Sequence, residues 1–206
     1  MFSITAAFSK GWHIFKDNAG FLLGVHLLAM FVQVGPQLLL GDSPGTKALV
    51  AIISLLASFV LALGLVRIGL SLVDGEPVEF GDLFSYAHLV FKYLVASLLH
   101  GFLILFGLLL LVAPGLYWAA QFSQWPYLMV EHEMGPIEAM KESSRITRAT
   151  RGNLILFFAA SVGLVILGFL ALFVGSIVAY ALITVTGAYI YREILADQPP
   201  EPEVAS

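Results

Sequence analysis

The stretch that decides the fold is Asn153–Tyr191, NLILFFAASVGLVILGFLALFVGSIVAYALITVTGAYIY, which carries no charged residue from end to end. As one straight α-helix it would be nearly 60 Å long at about 1.5 Å per residue, twice the roughly 30 Å hydrocarbon core of a bilayer. It therefore reads as a hairpin of two membrane spans, with its turn between Gly168 and Gly175. Working back along the chain, similar apolar runs occupy Ala19–Leu40, Ala48–Val73, Tyr93–Ala113 and a shorter, more polar Leu116–Val130. The last of these contains Gln121, Ser123, Gln124 and Pro126, so it reads as a fourth span or as a re-entrant segment. The expectation is an all-α, polytopic transmembrane bundle of about six spans.

Composition agrees with lipid as the solvent. The 206 residues are 59% hydrophobic and 12% charged, with a mean hydropathy of +0.92. A soluble domain has about 45–50% apolar and about 25% charged residues, and a small one exposes too much surface to hide such an excess. With no cysteine, disulfides, thiolate metal sites and cysteine nucleophiles are excluded. The net charge of −4 and the scattered cations offer no nucleic-acid-binding face. The first apolar run is long enough to span and no small-residue cleavage site follows it, so it is expected to stay in the mature protein.

The cations set an orientation. With the N-terminus inside, Lys10, Lys16, Arg67, Lys92, Lys141, Arg145, Arg148, Arg151 and Arg192 lie on or near the cytoplasmic side, and only Lys47 lies outside. Such a bias places both termini in the cytoplasm. The chain divides into one integral membrane domain, 1–197, and an acidic, proline-rich tail, 198–206, expected to be disordered.

Three further stretches, Ser3–Asn18, Phe80–Phe91 and Pro136–Arg151, mix polar and apolar residues at helical spacing and each leads into a span. They read as amphipathic helices lying at the cytoplasmic interface, the first with Phe8, Trp12 and Phe15 on one face. Phe8-Ser9 with Phe15-Lys16 matches Phe84-Ser85 with Phe91-Lys92, while Ser144, Arg151 and Asn153 supply a third copy, Asn153 matching Asn18. The chain thus reads as three degenerate repeats, each an interfacial helix followed by a helical hairpin.

Candidate chemistry is sparse. No G-x-S-x-G elbow, Walker loop or H-E-x-x-H motif occurs. His26 and His100 fall within spans and are candidates for polar contacts between helices. Glu131-His132-Glu133 is the densest titratable cluster, but neighbouring helical residues diverge by about 100°, so the three do not converge on one metal. Glu131 ends an apolar run and is a candidate to face inward, the alternative being that it faces water, while Glu133 is expected to face water. Arg67, in an otherwise uncharged run, either snorkels to the lipid phosphates or pairs with Glu131. Gln121, Gln124, Arg67 and Glu131 are the intramembrane polar candidates, and a cavity lined by all four would favour transport. Lys141, Arg145 and Arg148 form a stripe at i, i+4, i+7 with Ser144 beside them and Arg151 following. This stripe either enforces topology or binds anionic lipid headgroups.

The stretch LVRIGLSLVDGEPVEFGDLF at 65–84, APGLY at 113–117 and PYLMVEHEMGPIEAMKESSRITR at 126–148 resemble a bacterial family of uncharacterised polytopic membrane proteins. That family is similar to the membrane region attached to some glycerophosphodiester phosphodiesterases. The resemblance covers nearly the whole chain and implies a six-span protein of the bacterial inner membrane. It assigns no catalytic residue, and the separate soluble barrel of those enzymes is not expected in this chain. The reading is a non-enzymatic membrane protein that supports or regulates other envelope components and contacts anionic lipid, with no cofactor or metal. Its partners would be the phospholipid bilayer and a membrane protein or a second copy of itself. A small transporter or lipid-handling protein is the alternative, and an enzyme acting on lipid headgroups ranks last.

Overall fold

A computed structural model describes residues 2–39, 43–170 and 174–198. In chain order the helices are α1 (Ile4–Asp17), α2 (Ala19–Leu39), α3 (Pro44–Asp74), α4 (Val90–Leu110), α5 (Val112–Gln121), α6 (Trp125–His132), α7 (Pro136–Ile146), α8 (Arg151–Leu170) and α9 (Val174–Ala196). No strand occurs among the described residues. Five of these helices, α2, α3, α4, α8 and α9, are long and apolar enough to cross a membrane. Their outward faces carry large bare side chains such as Phe31, Leu98, Phe102 and Leu109. Water would penalise such a surface, whereas lipid tails do not.

Local chemistry sets most boundaries. Ser43 caps α3 by accepting the Thr46 N–H at 3.2 Å, and Pro44 occupies the first turn, where its missing N–H costs nothing. Gly75 ends α3 in the left-handed region at φ 74°, where a side chain would be strained. The turn after α4 sits at Leu111, before the expected end of that run at Ala113, because Pro114 is accommodated in the first turn of α5. The α8–α9 turn and the tail fall partly on residues 171–173 and 199–206, which lie outside the described residues, as do 40–42 of the first loop. Gln198, assigned to the tail, is docked on the bundle through bonds of 3.2 Å to the Ile146 and Ile194 carbonyls.

The expected fourth span is a broken helix. Pro126 lacks an N–H and its ring would strike the carbonyl of residue 122, so the helix stops at Gln121 and restarts at Trp125. The two pieces together run back along α4. Gly107 faces Gly115 and Trp118, and Phe106 stacks on Trp118 at 6.4 Å. Further along, Trp125 donates to His100 Nδ1 at 3.0 Å and packs on Tyr93 at 4.7 Å. At the far end Lys92 donates to the Glu133 carbonyl at 3.2 Å. The return covers the length of α4 and does not turn back half-way.

Two of the three expected interfacial helices change form. Phe80–Phe91 holds two short 3₁₀ turns, Phe80–Phe84 and Ala87–Leu89, before α4 begins. The first is fixed by Asp82, whose carboxylate accepts the Glu79 N–H at 2.8 Å, and Leu83 is buried where its backbone rests on Gly64. The Pro136–Arg151 helix ends at Ile146, and residues 147–150 form turns leading into α8. In α1 the buried face is Ala7, Gly11 and Phe15, with Phe8 against Phe157 and Trp12 left 44% exposed but stacked on Phe15. Asn18 and Asn153, matched in the repeat, bond differently: Asn18 to the local Ile14 carbonyl at 3.0 Å, Asn153 across to Phe2 at 2.7 Å.

The core is organised around α9. In its spanning window 56% of residues are buried, against 11–22% in the other four, so α9 is the helix the others surround. Its small residues admit neighbours: Gly11 of α1 meets Thr186, Gly69 of α3 meets Ala188, and Tyr127 of α6 covers Gly187. Close approach through small side chains is how helices gain packing energy in lipid, where apolar burial itself gives little. The short elements follow one pattern: the first 3₁₀ turn packs on α3, α7 on α6 and α1 on α9.

Candidate functional site

The C-terminal ends of α3, α6 and α9 converge, and each brings a charged residue to the same place. Arg192 grips Asp74 with a two-pronged fork, Nε to Oδ1 at 2.9 Å and Nη2 to Oδ2 at 2.6 Å. Its remaining nitrogen, Nη1, donates to Glu131 Oε1. The other Glu131 oxygen accepts the hydroxyl of Tyr191 at 2.5 Å. Tyr191 is fully buried and stacks on Tyr127 at 5.1 Å. Carboxylates at helix C-termini are disfavoured by the helix dipole, and a guanidinium set between two of them offsets that cost. The three side chains are 24–30% exposed.

The Arg67–Glu131 pair, one of the two readings of Arg67, does not form. Arg67 bonds Glu76 at 3.0 Å, and Ser71 donates to the same carboxylate oxygen at 3.1 Å. The reason is the left-handed Gly75: it folds the chain back over the last turn of α3, with Glu76 N–H bonded to the Ser71 carbonyl at 2.8 Å. Glu131 does face inward, but its partner is Arg192, a cation read from the sequence only as a topology signal. Asp74 and Tyr191 were also missed. The legible hint was that Asp74, Glu131 and Arg192 each close an apolar run. Glu133, as expected, is largely exposed, 3.4 Å from His88.

The basic stripe forms a recess. Lys141, Ser144, Arg145, Arg148 and Arg151 together line a cavity of about 290 Å³ at the junction of α7 and α8. Arg145 is already engaged by Glu142 at 2.8 and 3.0 Å. Arg151 lies 4.8 Å from the Tyr117 ring centre, and donates to the Tyr117 hydroxyl and, at 3.0 Å, to the Ser144 carbonyl. Glu138 accepts the Gly135 N–H at 3.4 Å and so fixes the start of α7. The buried side of α7 seals the break between α5 and α6. Ser143 accepts the Gln124 N–H at 3.0 Å and donates to the Gln121 carbonyl at 3.2 Å, while Thr147 donates to that carbonyl at 2.9 Å. Backbone groups released by a helix break at membrane depth must find such partners.

Among the described residues, the four intramembrane polar candidates line no common cavity. Gln121 donates to Ser144 at 2.8 Å, so two separately chosen candidates are partners, and Arg67 and Glu131 are held as described. Gln124 lines a cavity of about 260 Å³ with Ser123, Tyr127, Thr184 and apolar side chains of α3, α8 and α9. Beyond Leu65, Tyr180 and Thr184 lies a second cavity of about 450 Å³ lined by His26, Gln33 and Ser176. Both span histidines make polar contacts between helices, His26 to Thr184 at 3.3 Å and His100 to Trp125.

Over 134 residues the chain is 31% identical to an uncharacterized protein of Mycobacterium bovis and, equally, to one of Mycobacterium tuberculosis. Each alignment covers 64% of this chain and 40% of the relative, so the chain matches less than half the length of those proteins. No family model matches the chain, and no solved structure matches it.

Proposed function

We propose that the chain is a multi-pass protein of the bacterial inner membrane with six crossings and both termini in the cytoplasm. In this reading it performs no chemistry of its own. It supports or regulates other envelope components, and it holds anionic phospholipid in the α7 recess. The observation that carries the lipid assignment is the gathering of Lys141, Arg145, Arg148 and Arg151 around one cavity beside the first turn of α8. Guanidinium groups at a membrane boundary match phosphate in both charge and hydrogen-bond geometry. The path of α5 and α6 along the whole of α4 supports the sixth crossing, and the gathering of Lys92, Arg192 and α7 at one end supports the orientation.

The same proposal includes the internal threefold repeat. The first 3₁₀ turn sits on α3, α7 on α6, and α1 closes the ring on α9 although it lies at the opposite end of the sequence. Asp74, Glu131 and Arg192 then occupy corresponding places at the ends of the second limbs of the three hairpins. The resemblance to the membrane region of glycerophosphodiester phosphodiesterases belongs to this proposal as a likeness of membrane architecture alone.

The test is replacement of Lys141, Arg145 and Arg148 by Gln in one variant. Each cation near an anionic surface contributes about 1 kcal/mol. Because Arg145 is shared with Glu142, the other two cations account for about 2 kcal/mol, so the expected fall in retained phosphatidylglycerol, read by native mass spectrometry, is roughly 30-fold. Unchanged retention by a correctly folded variant refutes the lipid assignment and leaves the stripe as a topology signal.

A further inference from the structure

The cavity beside the helix break is built differently from the α7 recess. Its walls are Leu65, Val66, Phe157, Phe158, Ile183 and Ile190, and its polar groups are all uncharged. The cations nearest in sequence, Arg67 and Arg192, are each held by carboxylates, Arg67 by Glu76 and Arg192 by Asp74 and Glu131. Two polar side chains there keep hydrogen-bonding capacity unused among the described residues. One is the Tyr127 hydroxyl, which no hydrogen bond engages and which lies against Gly187, where a Cβ would come within 2.5 Å of it. The other is Gln124, 4% exposed, whose amide nitrogen donates to Ser123 at 2.9 Å while its buried oxygen Oε1 has no partner. An unsatisfied acceptor in a low-dielectric interior is costly, and here the buried Gln124 oxygen and the Tyr127 phenol line the same cavity.

We infer that this cavity binds the hydroxyl end of a neutral lipid, a long-chain alcohol in chemical class, with the hydroxyl between Tyr127 and Gln124. A hydroxyl both accepts and donates, so it satisfies Tyr127 and the Gln124 oxygen together, after a small side-chain adjustment at Gln124. A phosphate or carboxylate finds no cation there and would be desolvated without compensation. The chain of the lipid continues past Leu65, Tyr180 and Thr184 into the 450 Å³ cavity. Cavities of about 300–1,000 Å³ with apolar walls and a few fixed polar groups are the usual form of small-molecule sites. Half-helices meeting at a break inside a membrane bundle are where such sites recur. This site is independent of the anionic-lipid assignment, since it shares no residue with the α7 recess.

The experiment uses the full chain in detergent micelles with a diazirine-bearing hexadecanol, cross-linked by light and mapped by mass spectrometry. Labels are expected on Leu65, Tyr180 and Ile183. Unlabelled hexadecanol is expected to compete at least tenfold better than its methyl ether or than hexadecyl phosphate. Tyr127→Phe, which keeps the ring stacked on Tyr191, and Gln124→Leu are each expected to weaken labelling about tenfold. Labels spread over outward residues such as Leu98, Phe102 and Leu105 would overturn the inference. So would equal competition by the phosphate, because that result describes a chain groove indifferent to its headgroup. If Tyr127→Phe folds and labels as the parent does, hydroxyl recognition is refuted even with the labels in place.

Discussion

Arg192→Leu removes the centre of the clasp and leaves Asp74 and Glu131 facing each other at two helix ends. An exposed ion pair contributes about 0–1 kcal/mol, whereas taking one partner from a buried pair costs about 3–5 kcal/mol. With the three side chains 24–30% exposed, the clasp falls between these limits, nearer the exposed end once solvent screening is counted. The expected loss is about 2 kcal/mol, or roughly 30-fold in the unfolding constant. Glu131→Gln keeps an oxygen for Tyr191 and is expected to cost about 1 kcal/mol. The double variant should lose less than the sum by about 1 kcal/mol, because each change removes the same contact. Reversible unfolding in mixed micelles, followed by tryptophan fluorescence, measures all three. The control is Arg67→Leu combined with Glu131→Gln, expected to be additive within about 0.5 kcal/mol, since Arg67 is bonded to Glu76. Additive losses for Arg192 and Glu131, or coupling between Arg67 and Glu131, would refute the arrangement of charges described here.

Two further outcomes follow from the packing and the path of the chain. A Cβ at Gly11 would collide with Thr186, so Gly11→Ala is expected to cost about 1–3 kcal/mol in the same unfolding assay, whereas Gly20→Ala, with open space around it, should be neutral or slightly stabilising. The chain has no cysteine, so single cysteines report topology without background. A cysteine at Gly135 should react with an impermeant maleimide only from the cytoplasmic face of oriented vesicles and one at Leu111 only from the other face, and labelling of both from one side would remove the sixth crossing.

The long helices were legible in the sequence because length and apolar density decide them locally. Ala19–Leu40 and Ala48–Val73 correspond to α2 and α3 within a few residues, and the uncharged Asn153–Tyr191 divides into α8 and α9 within the expected region. Proline and glycine also act locally, so the weak fourth segment was recognisable from Pro126 and its glutamines, and Pro136 from its place at the start of α7. The partners of those helices were not legible. Arg192 meets Asp74 across 118 positions and Glu131 across 61, and no local period encodes such separations. In a soluble helix the apolar stripe names the buried face, but in lipid the outward face is equally apolar and the stripe disappears. What selects the inward face here is the absence of side chain at Gly11, Gly69 and Gly187, which lets a neighbouring helix approach. A glycine reads identically in sequence whether its neighbour is lipid or protein. Only the assembled bundle brings Thr186, Ala188 and Tyr127 against those three positions, and with them the charges and cavities that set the candidate sites.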